Sequence, residues 1–74
     1  MFGIGQAVKE LRDGNKVARQ GWPGRGMFLE LQVPDEHSKM TEPYVYISMA
    51  LGRTRIPWLC SQADLLATDW YLVE

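Results

Sequence analysis

Met27-Phe28-Leu29-Glu30-Leu31-Gln32-Val33 is the stretch on which the fold turns. Met27, Leu29, Leu31 and Val33 alternate with Phe28, Glu30 and Gln32. That period of two sends one row of side chains into a core and the other away from it, so residues 27–33 read as a half-buried β-strand. Pro34 ends it, since proline has no N–H to give to a ladder. Beyond a polar stretch at 35–43, residues 44–49 repeat the pattern, with Val45, Ile47 and Met49 set against Tyr44, Tyr46 and Ser48. Gly52 supplies a turn, residues 54–56 return as a short strand, and Pro57 limits how far that strand pairs.

Upstream, Ile4, Ala7, Val8 and Leu11 fall at i, i+3, i+4 and i+7, one stripe of an amphipathic helix over residues 2–13. Gly14 is placed to end it in a left-handed conformation. Residues 16–20 read as a short strand, and 21–26 as a loop rich in glycine. Downstream, Ser61 stands three residues before Asp64 and just ahead of Leu65, Leu66 and Ala67. The spacing matches a capping box in which Ser61 caps the first turn and Asp64 reaches back. Asp69 breaks this short helix, and residues 70–73 alternate again as a closing strand. The expectation is a single α+β domain over residues 1–74, with a small antiparallel sheet of four to five strands, an N-terminal helix and a short second helix.

A 74-residue chain has a thin core, burying only about 60% of the surface its unfolded form exposes. Disulfides, a structural metal or self-association normally make up the deficit. Cys60 is the only cysteine and His37 the only histidine, which excludes an intrachain disulfide and a zinc site of ordinary ligand count. Self-association remains. Eight Lys and Arg against nine Asp and Glu lack the basic excess of a nucleic-acid binder. No signal-peptide profile and no apolar run near the ~20 residues of a membrane span are present, so a cytoplasmic location is expected.

Catalysis needs a nucleophile or metal and a base within hydrogen-bond reach. His37 reads as a solvated loop histidine, Cys60 as a small buried hydrophobe and Asp64 as a helix cap, so no enzyme, cofactor or metal is expected. The three tryptophans say more. Trp22, in the glycine-rich loop, either closes over the core or forms a flat wall for a ligand. Trp58 would set an aromatic face beside the start of the second helix, where bases stack and N–H groups hold phosphate oxygens. Trp70 reads as core. Arg19, Arg25, Arg53 and Arg55 are the available cations.

One combination is specific: residues 14–22 (Gly-Asn-Lys-Val-Ala-Arg-Gln-Gly-Trp), Met27-Phe28-Leu29, Pro43-Tyr44, Pro57-Trp58 with Ser61-Gln62 and Asp64, and Asp69-Trp70. This ordered set, spread over almost the whole chain, resembles the Thoeris anti-defense 2 family. Pro23 departs from the polar residue, often Asn, common there, and Cys60 and Ala63 stand where Ala and Thr are expected. The resemblance implies a phage or prophage protein that binds and sequesters cyclic nucleotide immune signals without degrading them. Those signals are glycocyclic ADP-ribose and, in some members, cyclic dinucleotides. It also implies a homotetramer with ligand sites between protomers. The candidate ligand-binding residues are Arg19, Trp22, Arg25, Met27, Tyr46, Trp58, Gln62 and Asp64. Two other readings compete: a protein-interaction module that inhibits a host partner through an aromatic surface, and a hydrolase of the same signal.

Overall fold

The computed structural model describes residues 1–24, 26–49 and 52–74. Helix α1 (Ile4–Arg12) buries Ala7 and Leu11, two members of the expected stripe. It starts later than the periodicity suggests. Gly3, in extended conformation and offering no side-chain cap, lets Phe2 leave the helix and bond to a strand edge. The Phe2 N–H donates to Trp70 O at 2.8 Å and the Trp70 N–H to Phe2 O at 3.0 Å, so both orphaned backbone groups gain partners. At the other end Gly14 has φ of 89°, where a side chain would be strained, and its N–H donates to Leu11 O.

Five antiparallel strands follow: β1 (Lys16–Arg19), β2 (Phe28–Gln32), β3 (Tyr44–Met49), β4 (Thr54–Pro57) and, after helix α2 (Gln62–Leu65), β5 (Trp70–Val73). Their order in the sheet is β4-β3-β2-β1-β5. Consecutive strands β1 to β4 lie side by side, as sequential strands usually do. β5 then closes the opposite edge by pairing with β1.

Register assigns the faces. Val17 pairs with Leu29 and Leu29 with Ile47, so these three share the face that α1 covers. Together with Ala7, Leu11 and Trp70 they form the core cluster. The alternate residues Phe28, Glu30, Tyr46 and Ser48 point the other way. On that face Tyr46 OH donates to Glu30 Oε1 at 2.7 Å and Lys16 Nζ sits 4.9 Å from the Phe28 ring centre. Ser48 Oγ is buried there with no partner among the described residues.

Moving the chain from the β4 edge to the β5 edge requires it to cross the sheet, a span of about 19 Å for four inter-strand gaps. Residues 58–69 make this crossing. Trp58, packed on the core cluster, opens it, and the bond from Trp70 Nε1 to Asp64 O at 3.1 Å fastens α2 to the face that carries α1. Most residues singled out from the sequence lie on this crossover or on the turn after β1.

Candidate functional site

Asp64 is the hub. Ser61 caps α2, its hydroxyl accepting from the Asp64 N–H at 3.0 Å, as the spacing predicts. The second half of the capping box does not form. The Asp64 side chain does not return to Ser61 N–H but turns toward β1, where Oδ1 accepts from Arg19 Nη1 at 2.8 Å and from Trp22 Nε1 at 3.1 Å. A guanidinium and an indole N–H offer the carboxylate more than one exposed backbone N–H would. Neither bond uses Oδ2.

Asp69 completes the arrangement. Arg19 Nε donates to Asp69 Oδ1 at 2.8 Å, and the Gly21 N–H donates to Asp69 Oδ2 at 2.8 Å. A Cβ at position 21 would lie 3.0 Å from that same Oδ2, which is why glycine suits the position. Arg19 thus bridges two carboxylates with two arms of its fork, with about a fifth of its side chain exposed. The bonds to Asp69 and Asp64 push the Arg19 guanidinium further up. Its bond in turn holds the Asp69 carboxyl below the usual carboxylate value. For Asp64, burial pulls upward, but the hydrogen bonds from Arg19 and Trp22 outweigh it and the net direction is down. Both aspartates are therefore ionised at neutral pH.

The three tryptophans meet here. Trp70, fully buried as expected, receives Trp22 edge-on at 5.4 Å between ring centres and 79° between planes, and Trp58 at 6.0 Å and 87°. Both outer rings are half-buried; Trp22 packs on the core and keeps an exposed part. Trp22 and Trp70 spend their indole N–H groups on Asp64. The Trp58 indole N–H has no acceptor among the described residues, whereas its backbone N–H donates to Val45 O at 3.0 Å.

The ordered motifs and the fold now bear on kinship. The model of the Thoeris anti-defense 2-like domain matches residues 2–73. This chain belongs to the Thoeris anti-defense 2 family. A protein named Thoeris anti-defense 2 from Bacillus phage SP01 is 33% identical to it over 84 aligned positions, covering 96% of this chain and 93% of that protein. Anti-defense of bacteriophages is accordingly the functional setting of this family member.

Within this Thoeris anti-defense 2 family domain the expected site residues divide. Arg19, Trp22 and Asp64 are brought into direct contact, with Trp58 joined to them through Trp70. Gln62 is exposed on α2, two residues from Asp64, and Met27 packs on the core beside the Trp22 loop. Tyr46 is on the opposite sheet face, bonded to Glu30, because strand alternation separates it from Ile47. Arg25 lies outside the described residues. Asp69 and Gly21 belong to the ordered motifs but were not among the expected site residues; by itself Asp69, directly before Trp70, reads as a helix stop. Cys60 is exposed, not buried as expected, since the crossover turns it outward. Local desolvation, then the Asp64 charge, hold its thiol above the ordinary value, away from a reactive thiolate. His37 is a loop histidine, its side chain 85% exposed, 3.3 Å from Glu36. No described helix is long and apolar enough to cross a membrane.

Proposed function

We propose that this protein sequesters a cyclic nucleotide immune signal, a glycocyclic ADP-ribose or a cyclic dinucleotide, in the host cytoplasm and without chemical change to it. The observation that carries the reading is the unspent recognition capacity around Asp64. Two half-buried indoles offer aromatic faces for a base, worth about 1–3 kcal/mol per stacked base. The Trp58 indole N–H can donate, Asp64 Oδ2 can accept from a ribose hydroxyl or an amino group, and Gln62 offers both functions to a base edge. Met27 packs on the core beside the Trp22 loop and can offer an apolar contact. A binder needs no nucleophile and base within reach of one another.

Self-association belongs to the same proposal, with a homotetramer as the expected state. The buried apolar set among the described residues is short, and large apolar side chains stand exposed beside the site, with Leu59 at 90% and Leu66 at 76%. Such exposure around a binding crossover suits a protomer that shares its site with copies of itself.

Retention and release test the function. Protein incubated with a glycocyclic ADP-ribose, and separately with a cyclic dinucleotide, is freed of excess ligand and then heat-denatured. Intact ligand in the released fraction is the expected result. An altered product would make the protein a hydrolase, and no retained ligand from either incubation would favour a protein-directed inhibitor.

A further inference from the structure

We infer that Arg19 is a positioning residue and not a ligand contact: it fixes the Asp64 carboxylate whose Oδ1 holds the Trp22 indole, so the ring is set before any ligand arrives. The part concerning ligand rests on the sequestration reading above; the part concerning the ring does not.

Two of the three guanidinium nitrogens of Arg19 are spent within the fold. Nε and Nη1 are each bonded to a different carboxylate at 2.8 Å, and the side chain is mostly covered. The bonds tie together three segments distant in sequence: the end of β1, the crossover helix and the entry to β5. Asp69 receives Arg19 on one oxygen and the Gly21 N–H on the other, which fixes the backbone just before Trp22. Asp64 receives Arg19 and the Trp22 indole on the same oxygen, which fixes the ring. Trp22 is thus held at its backbone and at its N–H by two acceptors that one guanidinium keeps stationary. Without the brace, the Asp64 carboxylate could rotate about its own side-chain bonds and the indole would lose a defined acceptor.

Ordering a side chain of many rotamers on binding costs about 0.5–1.5 kcal/mol, which is about two- to twelvefold in affinity. A ring held in advance avoids that cost. Lysine keeps the charge at position 19 but has no planar fork to span two carboxylates, so Arg19→Lys removes the brace with the least other disturbance.

Two readouts test this. The first needs no ligand: hydrogen exchange of the Trp22 indole N–H by NMR, referenced to the Leu29 amide in the sheet centre. Arg19→Lys should speed the indole about tenfold or more relative to Leu29, and an unchanged ratio would overturn the proposal. Should Arg19→Lys not fold, Asp69→Asn loosens the other arm of the fork while leaving the Asp64 carboxylate that accepts the indole; a faster indole relative to Leu29 is expected from it, and an unchanged ratio would overturn the proposal. The second is a double-mutant cycle on affinity for the cyclic ADP-ribose probe. Arg19→Lys should weaken binding about two- to twelvefold, and by no further factor in a Trp22→Phe background, where no indole N–H exists to be held. An equal loss in both backgrounds would mean that Arg19 touches the ligand directly, and the proposal would fall. If wild type does not bind the probe, the sequestration reading fails alone, and indole exchange still decides the role of Arg19.

Discussion

Replacing Trp22 with phenylalanine separates what its N–H contributes from what its ring contributes. The bond to Asp64 Oδ1 is 3.1 Å long, and hydrogen bonds to charged groups net about 1.5–3 kcal/mol in mutational series. Arg19 still neutralises Asp64 once the indole N–H is gone, so no charge is orphaned and the lower end, about 1.5 kcal/mol, is expected for Trp22→Phe. The phenyl ring is expected to keep an edge-on contact with Trp70, which Trp22 makes at 5.4 Å. Trp22→Ala loses it as well, adding about 0.5–1.5 kcal/mol and roughly 1 kcal/mol for a half-buried ring. The alanine variant should then cost about 3–4 kcal/mol, a large part of the 4–11 kcal/mol, roughly, that a chain of this length commands. Urea unfolding followed by circular dichroism measures both variants. A phenylalanine variant as stable as wild type, or an alanine variant no worse than phenylalanine, would refute the account of how this ring is held. In the folded fraction, ligand affinity of Trp22→Ala should fall roughly 5- to 150-fold, and wild-type affinity would remove Trp22 from the site.

Acid should undo the brace. Asp64 and Asp69 have folded values below their ordinary ones, so their contribution is complete above the unfolded carboxylate range, about pH 4. It is lost as pH falls through the folded values. Melting temperature should be level from pH 7 to about 5 and drop below about 4, and the drop should be smaller in Asp64→Asn; equal acid sensitivity in the two proteins would contradict this. Trp70→Ala removes the fully buried ring that anchors both other tryptophans, and at about 3–5 kcal/mol it should leave a substantial unfolded population at 37 °C, visible as lost amide dispersion in NMR. Gly21→Ala should lower the melting temperature and speed Trp22 indole exchange together, because its Cβ would crowd Asp69 Oδ2; an unchanged indole would show that the turn tolerates the methyl group. Sedimentation at micromolar concentration should report a species larger than one chain, and a clean monomer would end the proposal of self-association.

Alternation in residues 27–33 and 44–49 and the apolar stripe from Ile4 to Leu11 determined the strands, the first helix and the α+β class, because local periodicity is written in neighbouring residues and needs no partner to be read. The Ser61 cap and the Gly14 helix end were legible for the same reason. The ordered motifs carried the family. What Asp64 does was decided only in three dimensions. Its spacing from Ser61 suited a capping box, but Arg19 and Trp22, brought near by the crossover between the two sheet edges, are stronger partners for its carboxylate than a backbone N–H. The same crossing made Asp69 a structural acceptor and turned Cys60 outward. Strand alternation put Tyr46 on the far face, away from residues with which its chemistry would group it. Phe2 left the expected helix because the edge of β5, formed by residues at the other end of the chain, offered it two hydrogen bonds. Periodicity shows which way a side chain faces within its own element; which distant group meets it there depends on how the elements are joined.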